Sequence, residues 1–235
     1  MARKIEFNGV SIDSVAPVMI EDIKVSPIRY NPVVRPRAIR FGSEFVRMSG
    51  GERTVVVTFA ILEKNKVLRQ EAFRNLSVWA KTDAEYMLEL PQDPLRFLQC
   101  VCTGKAEPST RAWWENKLRL TFTCYANPYW TSKGEKAVAC GTAFFALGDA
   151  PPLMQIRRTL SSAASGQSYG DGVNTMTFTT IPAGNMVIDV NAQTAVVGNN
   201  SIMQYYQPSG AFIVPKVGAN TITGTGTVYY RERWE

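Results

Sequence analysis

The sequence predicts a mainly β protein with one packed helix, and three observations lead to this fold class. First, apolar residues alternate with polar ones from residue 118 to 124, as in a half-buried strand of an antiparallel sheet. Second, residues 68–80 carry apolar side chains at helical spacing. Third, the chain beyond residue 131 consists of short β-branched segments separated by Gly, Ser, Asn and Pro, which is typical of a sandwich or barrel.

The first half of the chain is expected to form an α+β domain. Residues 4–12 should form a hairpin, because Asn8-Gly9 suits both central positions of a type I′ turn. Residues 54–62 are almost wholly apolar, which predicts a central strand covered on both faces, with the helix on one of them. Further strands are predicted at residues 20–25, 85–90, 95–103 and 118–124.

The segment from residue 26 to 53 is expected to be irregular, because Pro27, Pro32 and Pro36 interrupt strand pairing. It carries a group of arginines, for which two interpretations remain open. They either solubilise a loop or belong to an inter-subunit arm whose guanidinium forks bind carboxylates of a neighbour. The candidate arm residues are Arg29, Arg35, Arg37, Arg40 and Arg47.

Two groups of aromatic residues are candidate contact sites. Four of them, near the end of the first half, would be interface anchors if exposed and core residues if buried: Trp113, Trp114, Tyr129 and Trp130. Three others, in the second half, would form either a stacking surface for a sugar ring or ordinary strand packing: Tyr205, Tyr206 and Phe212.

The amino-acid composition of the chain changes near residue 131, and this change predicts a domain boundary. Of the 17 glycines, 12 lie beyond this point, whereas most charged residues precede it. The predicted domains are residues 1–132 and 133–235, the second all β. Its expected strands are residues 153–160, 173–180, 185–190, 194–197, 211–214, 220–223 and 227–233.

Composition argues against most enzyme chemistry. The chain has no histidine, which removes the commonest general base and metal ligand. Acidic residues such as Asp149, Asp171 and Asp189 occur singly, so no paired carboxylates are expected. We predict no catalytic residues, no cofactor and no metal. The cysteines, without a Cys-x-x-Cys pair, are expected to be reduced thiols: Cys100, Cys102, Cys124 and Cys140.

The net charge of +6 arises from 26 basic and 20 acidic residues that are interspersed along the chain. This mixing favours protein partners over nucleic acid, which selects basic side chains clustered on one face. The first residues lack the apolar stretch of a signal peptide, and no segment approaches the roughly 20 apolar residues of a spanning helix. We therefore expect folding in the cytoplasm and no membrane insertion.

The chain resembles the distal tail protein (Dit) family of long-tailed bacteriophages. The most specific stretch is residues 53–130: an Arg-Thr-Val-Val-Val-Thr-Phe strand, a helix ending near Leu-Ser-Val-Trp, a Leu-Pro-Gln-Asp-Pro-Leu-Arg-Phe hairpin and the ending Leu-Thr-Phe-Thr-Cys-Tyr-Ala-Asn-Pro-Tyr-Trp. The second half is similar to the family's outer β-domain, either a galectin-like sandwich or an OB-like barrel.

The resemblance implies a structural virion protein rather than an enzyme. In the family, the N-terminal domains build a homohexameric ring at the tail tip or baseplate. That ring stacks on the tail tube protein and docks the hub protein, while DNA passes through the lumen only as cargo. The outer domain can hold receptor-binding or side-fibre proteins. Assembly would occur in the host cytoplasm. The alternative is a carbohydrate-binding module that contacts host surface glycans.

Overall fold

A computed structural model describes residues 4–36, 43–104, 107–108, 117–207 and 210–235. These residues are mainly β, with one α-helix in the described ranges, which confirms the predicted fold class. The long strands of both halves pair antiparallel with their neighbours.

The chain divides into two compact units. The first is Met1–Trp130 together with Glu235, and the second is Thr131–Trp234. The elements of the first unit are β1 (Glu6–Phe7), β2 (Val10–Ser11), a 3-10 turn (Ile12–Ser14), β3 (Val18–Val25), β4 (Arg29–Pro36), β5 (Ser43–Ile61), α1 (Lys66–Ala80), β6 (Tyr86–Glu89), β7 (Arg96–Cys102), β8 (Glu107–Pro108) and β9 (Lys117–Cys124).

Strand β5 lies at the centre of the first unit's sheet. Its second half pairs with β3 on one side and β9 on the other, and the sheet continues through β7, β6, β1 and β2. Val55, Val57 and Phe59 are fully buried, but the alternating residues Val56 and Ala60 remain partly exposed. The prediction of two covered faces is not met by the described residues, because α1 and the other described elements bury one face fully and leave the other partly exposed.

Helix α1 packs on that sheet with a narrow buried stripe. The Asn65 side chain caps its N-terminus by accepting a hydrogen bond from the Val67 N–H at 2.9 Å. Ala72, Leu76 and Ala80 are buried, whereas Leu68, expected in the same stripe, is about half exposed. In the part of the chain that the structure describes, no helix is long and apolar enough to cross a membrane.

Four aromatic rings form the centre of the first unit's core. Phe7 contacts Trp79, Tyr86 and Phe122 in edge-to-face geometry, with the Phe7–Phe122 centroids 5.1 Å apart. Phe7 reaches this position because β1 and β2 form the predicted hairpin, with Asn8 at φ +52° and Gly9 at φ +72° in its turn. The cluster thus ties the first hairpin, the helix and the central sheet together.

The described part of the region predicted as an irregular connection is mainly β-strand, and its two segments pair with each other. Strand β4 pairs with the first half of β5, from Arg29 opposite Glu52 to Pro36 opposite Ser43, with two register shifts. The prolines are compatible with pairing because β4 has one partner in the described residues, so every second backbone N–H points away from the ladder. We call β4 together with residues 43–53 of β5 the arm.

The second unit contains one larger sheet and two ribbons. The larger sheet has the order β18-β17-β16-β13-β20-β11, and the ribbons are β12–β19 and β14–β15. Strand β10 (Trp130–Ser132) begins at the last residue of the first unit. The strands that follow are β11 (Lys136–Ala139), β12 (Ala143–Ala146), β13 (Ala150–Leu160), β14 (Ala164–Gly170), β15 (Thr175–Ile181), β16 (Gly184–Asp189), β17 (Thr194–Val197), β18 (Asn200–Ser201), β19 (Gly218–Thr221) and β20 (Thr227–Trp234), with a 3-10 turn at Met203–Tyr205.

The core of the second unit is built from alternating strand residues, as the sequence rhythm predicts. Tyr169, Phe178, Ile156 and Ile188 are all fully buried in it. The predicted strand at residues 211–214 is not a strand, because this segment pairs with no neighbour in the described structure. Its Ile213 is nevertheless buried, which explains why an apolar run stands there.

Asp171 fastens the turn between β14 and β15 to this unpaired segment. Its carboxylate accepts hydrogen bonds from the backbone N–H groups of Val173, Asn174 and Val214, and from the Asn174 side chain, at 2.7–3.1 Å. Burial pushes the pKa of Asp171 upward, but these hydrogen bonds outweigh that effect and hold the pKa at about 2.

We predict that Phe122→Ala lowers the free energy of unfolding of the first unit by about 3–5 kcal/mol, because it removes a fully buried ring from the aromatic cluster. Chemical denaturation followed by tryptophan fluorescence measures this change. The matched control is Tyr125→Ala, whose ring is 55% exposed and which should cost at most about 0.5 kcal/mol. Equal effects of the two variants would contradict the described core.

We predict that Asp171→Asn lowers the stability of the second unit by roughly 1–2 kcal/mol at neutral pH. Because the folded pKa lies below the unfolded value of about 3.9, the wild-type contribution is complete above about pH 4 and is lost as pH falls through about 2. The stability difference between wild type and variant, measured by denaturation at several pH values, should shrink over this range. The exposed Asp13→Asn serves as control, and a difference that grows on acidification would refute the assignment.

Candidate assembly surfaces

The arm places part of the arginine group on a regular two-stranded scaffold. Arg29 lies opposite Glu52 in the register, Arg35 opposite Glu44, and Arg47 opposite Val33. The other two candidate arm residues, Arg37 and Arg40, lie outside the described residues. The arm therefore carries its charges along a β-ribbon that continues directly from the central strand of the sheet.

The base of the arm is fixed by contacts that sequence spacing could not reveal. The Tyr30 hydroxyl donates a hydrogen bond to Glu235 Oε1, although the two residues are 205 positions apart in the sequence. This bond, followed by a second one with Tyr129, raises the pKa of Tyr30 above its ordinary value. At Gly51, a Cβ atom would overlap the Ile28 side chain, so only glycine permits this close approach of the backbone.

The uncovered face of the central sheet is a second candidate surface. On β5 it presents Thr54, Val56, Thr58 and Ala60, all partly exposed. The register adds side chains of both signs from the flanking strands: Met19, Asp22 and Lys24 from β3, and Lys117, Arg119 and Thr121 from β9. A small, mixed polar and apolar centre with charged borders resembles the composition of protein–protein interfaces more than that of a closed core.

The outer edge of the same sheet has backbone groups available for pairing. Strand β3 pairs only with β5 among the described residues, and its register shifts between Ile20 and Asp22. A groove of about 330 Å³ lies beside this shift, lined by residues 20–23 of β3 together with Pro91 and Gln92. An edge strand of this kind can accept a strand from another chain, and the charged residues Glu21 and Asp22 limit indiscriminate pairing.

The aromatic residues near the end of the first half occupy different environments. Trp130 is buried, with 9% of its surface exposed, and is therefore a core residue of the folded chain. Tyr129 is partly exposed and hydrogen-bonds to Tyr30 at the base of the arm. Trp113 and Trp114 lie outside the described residues.

The three aromatics considered for sugar stacking are partly buried and pack against the core of the second unit. Tyr206 contacts Phe178 and Phe212, with ring centroids 5.8 and 5.1 Å apart, and its hydroxyl donates to the Gly210 carbonyl. Tyr205 belongs to the short 3-10 turn beside them. These contacts hold the turn against the core, as the interpretation of the three aromatics as packing residues predicts.

Ionisable groups in the described ranges form no metal centre. No group of three or more His, Cys, Asp or Glu side chains there is arranged to hold an ion. The four cysteines are free thiols, with Cys100 and Cys124 buried and the other two partly exposed. The described acidic residues with a lowered pKa, Asp83 and Asp171, owe the shift to hydrogen bonds: Asp83 to that with Tyr86 three positions away, and Asp171 to those from its own turn and from the Val214 N–H.

Comparisons with known proteins identify the fold. No protein-family model matches the sequence, and a search of curated proteins finds no match. Among solved structures, the Dit protein of phage SPP1 superposes with a TM-score of 0.75 at 15% sequence identity, covering 100% of both chains. That protein is described as a paradigm of the hub adsorption apparatus in phages that infect Gram-positive bacteria.

Two structures of the phage p2 baseplate in its activated conformation, with strontium and with calcium, also contain a similar chain. The TM-scores are 0.52 and 0.51 at 8% identity, covering 98% and 99% of this chain and 98% of each matched chain. The residue-level resemblance noted in the sequence is thus confirmed at the level of the fold. This chain has the fold of a bacteriophage distal tail protein over its full length.

Proposed function

We propose that this protein is a structural subunit of a phage tail, forming a ring at the distal end that links the tail tube to the tail tip or baseplate hub. The observation that carries this proposal is the fold match to the SPP1 Dit protein across the whole of both chains. A match that spans both units supports a shared architecture, whereas a match to one unit would support only a common module.

The ring in this proposal is a homohexamer built by the first unit. Repeating one heterologous contact closes into a ring when the rotation between neighbours permits it. Among the described residues, the first unit offers what such a contact needs: the arm, the partly exposed face of the central sheet, and the edge of β3 that pairs with no second strand there. The arm arginines would bind carboxylates of the neighbouring subunit, since the guanidinium fork matches a carboxylate in geometry.

The proposed partners follow from the position of the ring. The tail tube protein would stack on one side and the hub protein on the other, and DNA would pass through the lumen without being bound. The second unit would lie outside, where it could hold receptor-binding or side-fibre proteins. The role requires geometry rather than chemistry, so no catalytic residue and no cofactor is involved. The packing of Tyr205, Tyr206 and Phe212 against the core gives no specific support for a carbohydrate-binding function.

We predict that shortening the arm abolishes ring formation without unfolding the chain. Replacing residues 32–48 by Asn-Gly joins Asn31 to Ser49, which are register partners, through a two-residue hairpin turn. Negative-stain microscopy of the purified wild type should show six-fold rings, and the shortened variant should show single subunits. Circular dichroism and thermal unfolding establish that both units of the variant remain folded.

Charge-reversal variants test whether ring formation depends on the arginine side chains of the arm or only on its backbone. Arg29→Glu, Arg35→Glu and Arg47→Glu combined should prevent ring formation. The control reverses three exposed cations elsewhere, Arg74→Glu, Lys81→Glu and Lys216→Glu, and should keep the rings at the same net charge. Rings in both triple variants would exclude the arm arginines as the contact. A wild type that forms no rings at any concentration, alone or with the tail tube protein, would refute the hexamer itself.

A further inference from the structure

Two of the four cysteines face each other across neighbouring strands of the first unit. Strands β7 and β9 pair with Val101 opposite Thr123 and Cys102 opposite Phe122. One step further in the same register, Cys100 lies opposite Cys124. Both side chains are fully buried. The Cys124 thiol is the main cause that raises the pKa of Cys100, as expected for two side chains that face each other on neighbouring strands. The two sulfur atoms are therefore direct neighbours.

The hydrogen-bond pattern of the ladder determines how close the two backbones are. The Thr103 N–H donates to the Thr121 carbonyl at 2.8 Å, so this pair is a hydrogen-bonded one. Because hydrogen-bonded and non-hydrogen-bonded pairs alternate, Cys100 and Cys124 form a non-hydrogen-bonded pair, for which the Cα atoms are about 4.5 Å apart. A disulfide spans Cα separations of about 4.4–6.8 Å, so this pair lies within the range, near its short end.

Access to the buried thiols is easiest where the ladder ends. Beyond Cys124 the pairing of β9 with β7 ends, since the N–H groups of Tyr125 and Ala126 donate to Glu85 Oε1 at 3.0 and 2.9 Å. Terminal pairs of a ladder open at lower free energy than central ones. The neighbouring Cys124 thiol and the buried surroundings raise the pKa of Cys100, so the Cys100 thiol stays protonated and reacts slowly while the strands are closed.

We propose that Cys100 and Cys124 are a cross-strand oxidation site that forms a disulfide when the protein meets a small-molecule disulfide or another oxidising thiol-exchange reagent. The inference rests on the positions of the two thiols and is independent of the proposed tail function. The reduced pair is the state expected in a reducing cytoplasm, and the disulfide is the state expected after release into oxidising surroundings.

The reaction is an ordinary thiol–disulfide exchange. One cysteine, as its thiolate, attacks a small disulfide RS–SR, forms a mixed disulfide and releases one thiolate RS⁻. The second cysteine then attacks the sulfur of the first and releases the second RS⁻. The two protons lost by the cysteines end on the two RSH molecules, so the cysteine pair is oxidised and one RS–SR is reduced.

The disulfide would link β7 to β9 and close a loop that contains the chain between Cys100 and Cys124. A closed loop restricts the unfolded chain and so stabilises the folded one, provided that the link fits without strain. The link would also fix the strand pair next to the aromatic cluster, since Phe122 lies two residues from Cys124 on the same strand. Oxidation should therefore stiffen the sheet of the first unit.

The test uses the full-length chain, purified in the reduced state and incubated while folded with excess oxidised glutathione at about pH 8.5, near the ordinary thiol pKa. After free thiols are alkylated, non-reducing peptide mapping should find a Cys100–Cys124 cross-link in most molecules. The melting temperature should rise by about 5–10 °C and return to its initial value after reduction.

Variants make the outcome specific. Cys102→Ser with Cys140→Ser removes the partly exposed thiols and should still form the cross-link, whereas Cys100→Ala should not show the rise in melting temperature. Three outcomes would overturn the proposal. These are intact thiols at both positions while Cys140 becomes glutathionylated, a disulfide that involves Cys102 instead, or a cross-link that fails to raise the melting temperature.

Discussion

The pairing of β5 with three other strands is the interaction on which the first unit depends. Its second half is held between β3 and β9 and carries the buried residues Val55, Val57 and Phe59. Its first half pairs with β4 and forms the arm. Because one continuous strand serves both, the core fixes the root of the arm, and the aromatic cluster around Phe122 in turn fixes the core. An arm placed in this way loses less conformational entropy on binding a neighbour than a free loop would.

The same construction explains why one face of the sheet is partly exposed in the described residues. One helix with a buried stripe of Ala72, Leu76 and Ala80 covers a single face, and the described residues leave the opposite face partly exposed. Threonine, valine and alanine on that face suit strand formation without demanding complete burial. The proposal of a ring uses this surface directly, since a closed ring buries on each subunit what the isolated chain leaves uncovered.

Local patterns predicted much of the fold. The alternation from Leu118 to Cys124, the Asn8-Gly9 turn and the helix at residues 66–80 appear where the sequence places them. The pairing of β4 with β5 could not be predicted, because Pro32 and Pro36 argue against a strand unless the strand has a partner on one side only. The apolar run 54–62 suggested two covered faces, but alternation of burial depends on what packs against a strand, which its own residues do not specify.

Contacts between residues far apart in the chain could not be predicted from local sequence patterns. The link from Tyr30 to Glu235 joins residues from opposite ends of the chain, and the facing of Cys100 and Cys124 depends on a register set by the whole β7–β9 ladder. The candidate arm residues could be named from charge alone, yet their arrangement on a ribbon required the pairing of β4 with β5. The charge pattern of the sequence thus named the candidate arm residues, and the strand pairing of the structure showed that the arm is a two-stranded ribbon.

The central claim is that the chain assembles with itself through its first unit. The most direct measurement is the molar mass of the purified protein by light scattering coupled to size exclusion, over a range of concentrations. The account predicts a species of six times the 26.1 kDa chain mass, reached at high concentration or on addition of the tail tube protein. A mass equal to that of one chain under all of these conditions would contradict it.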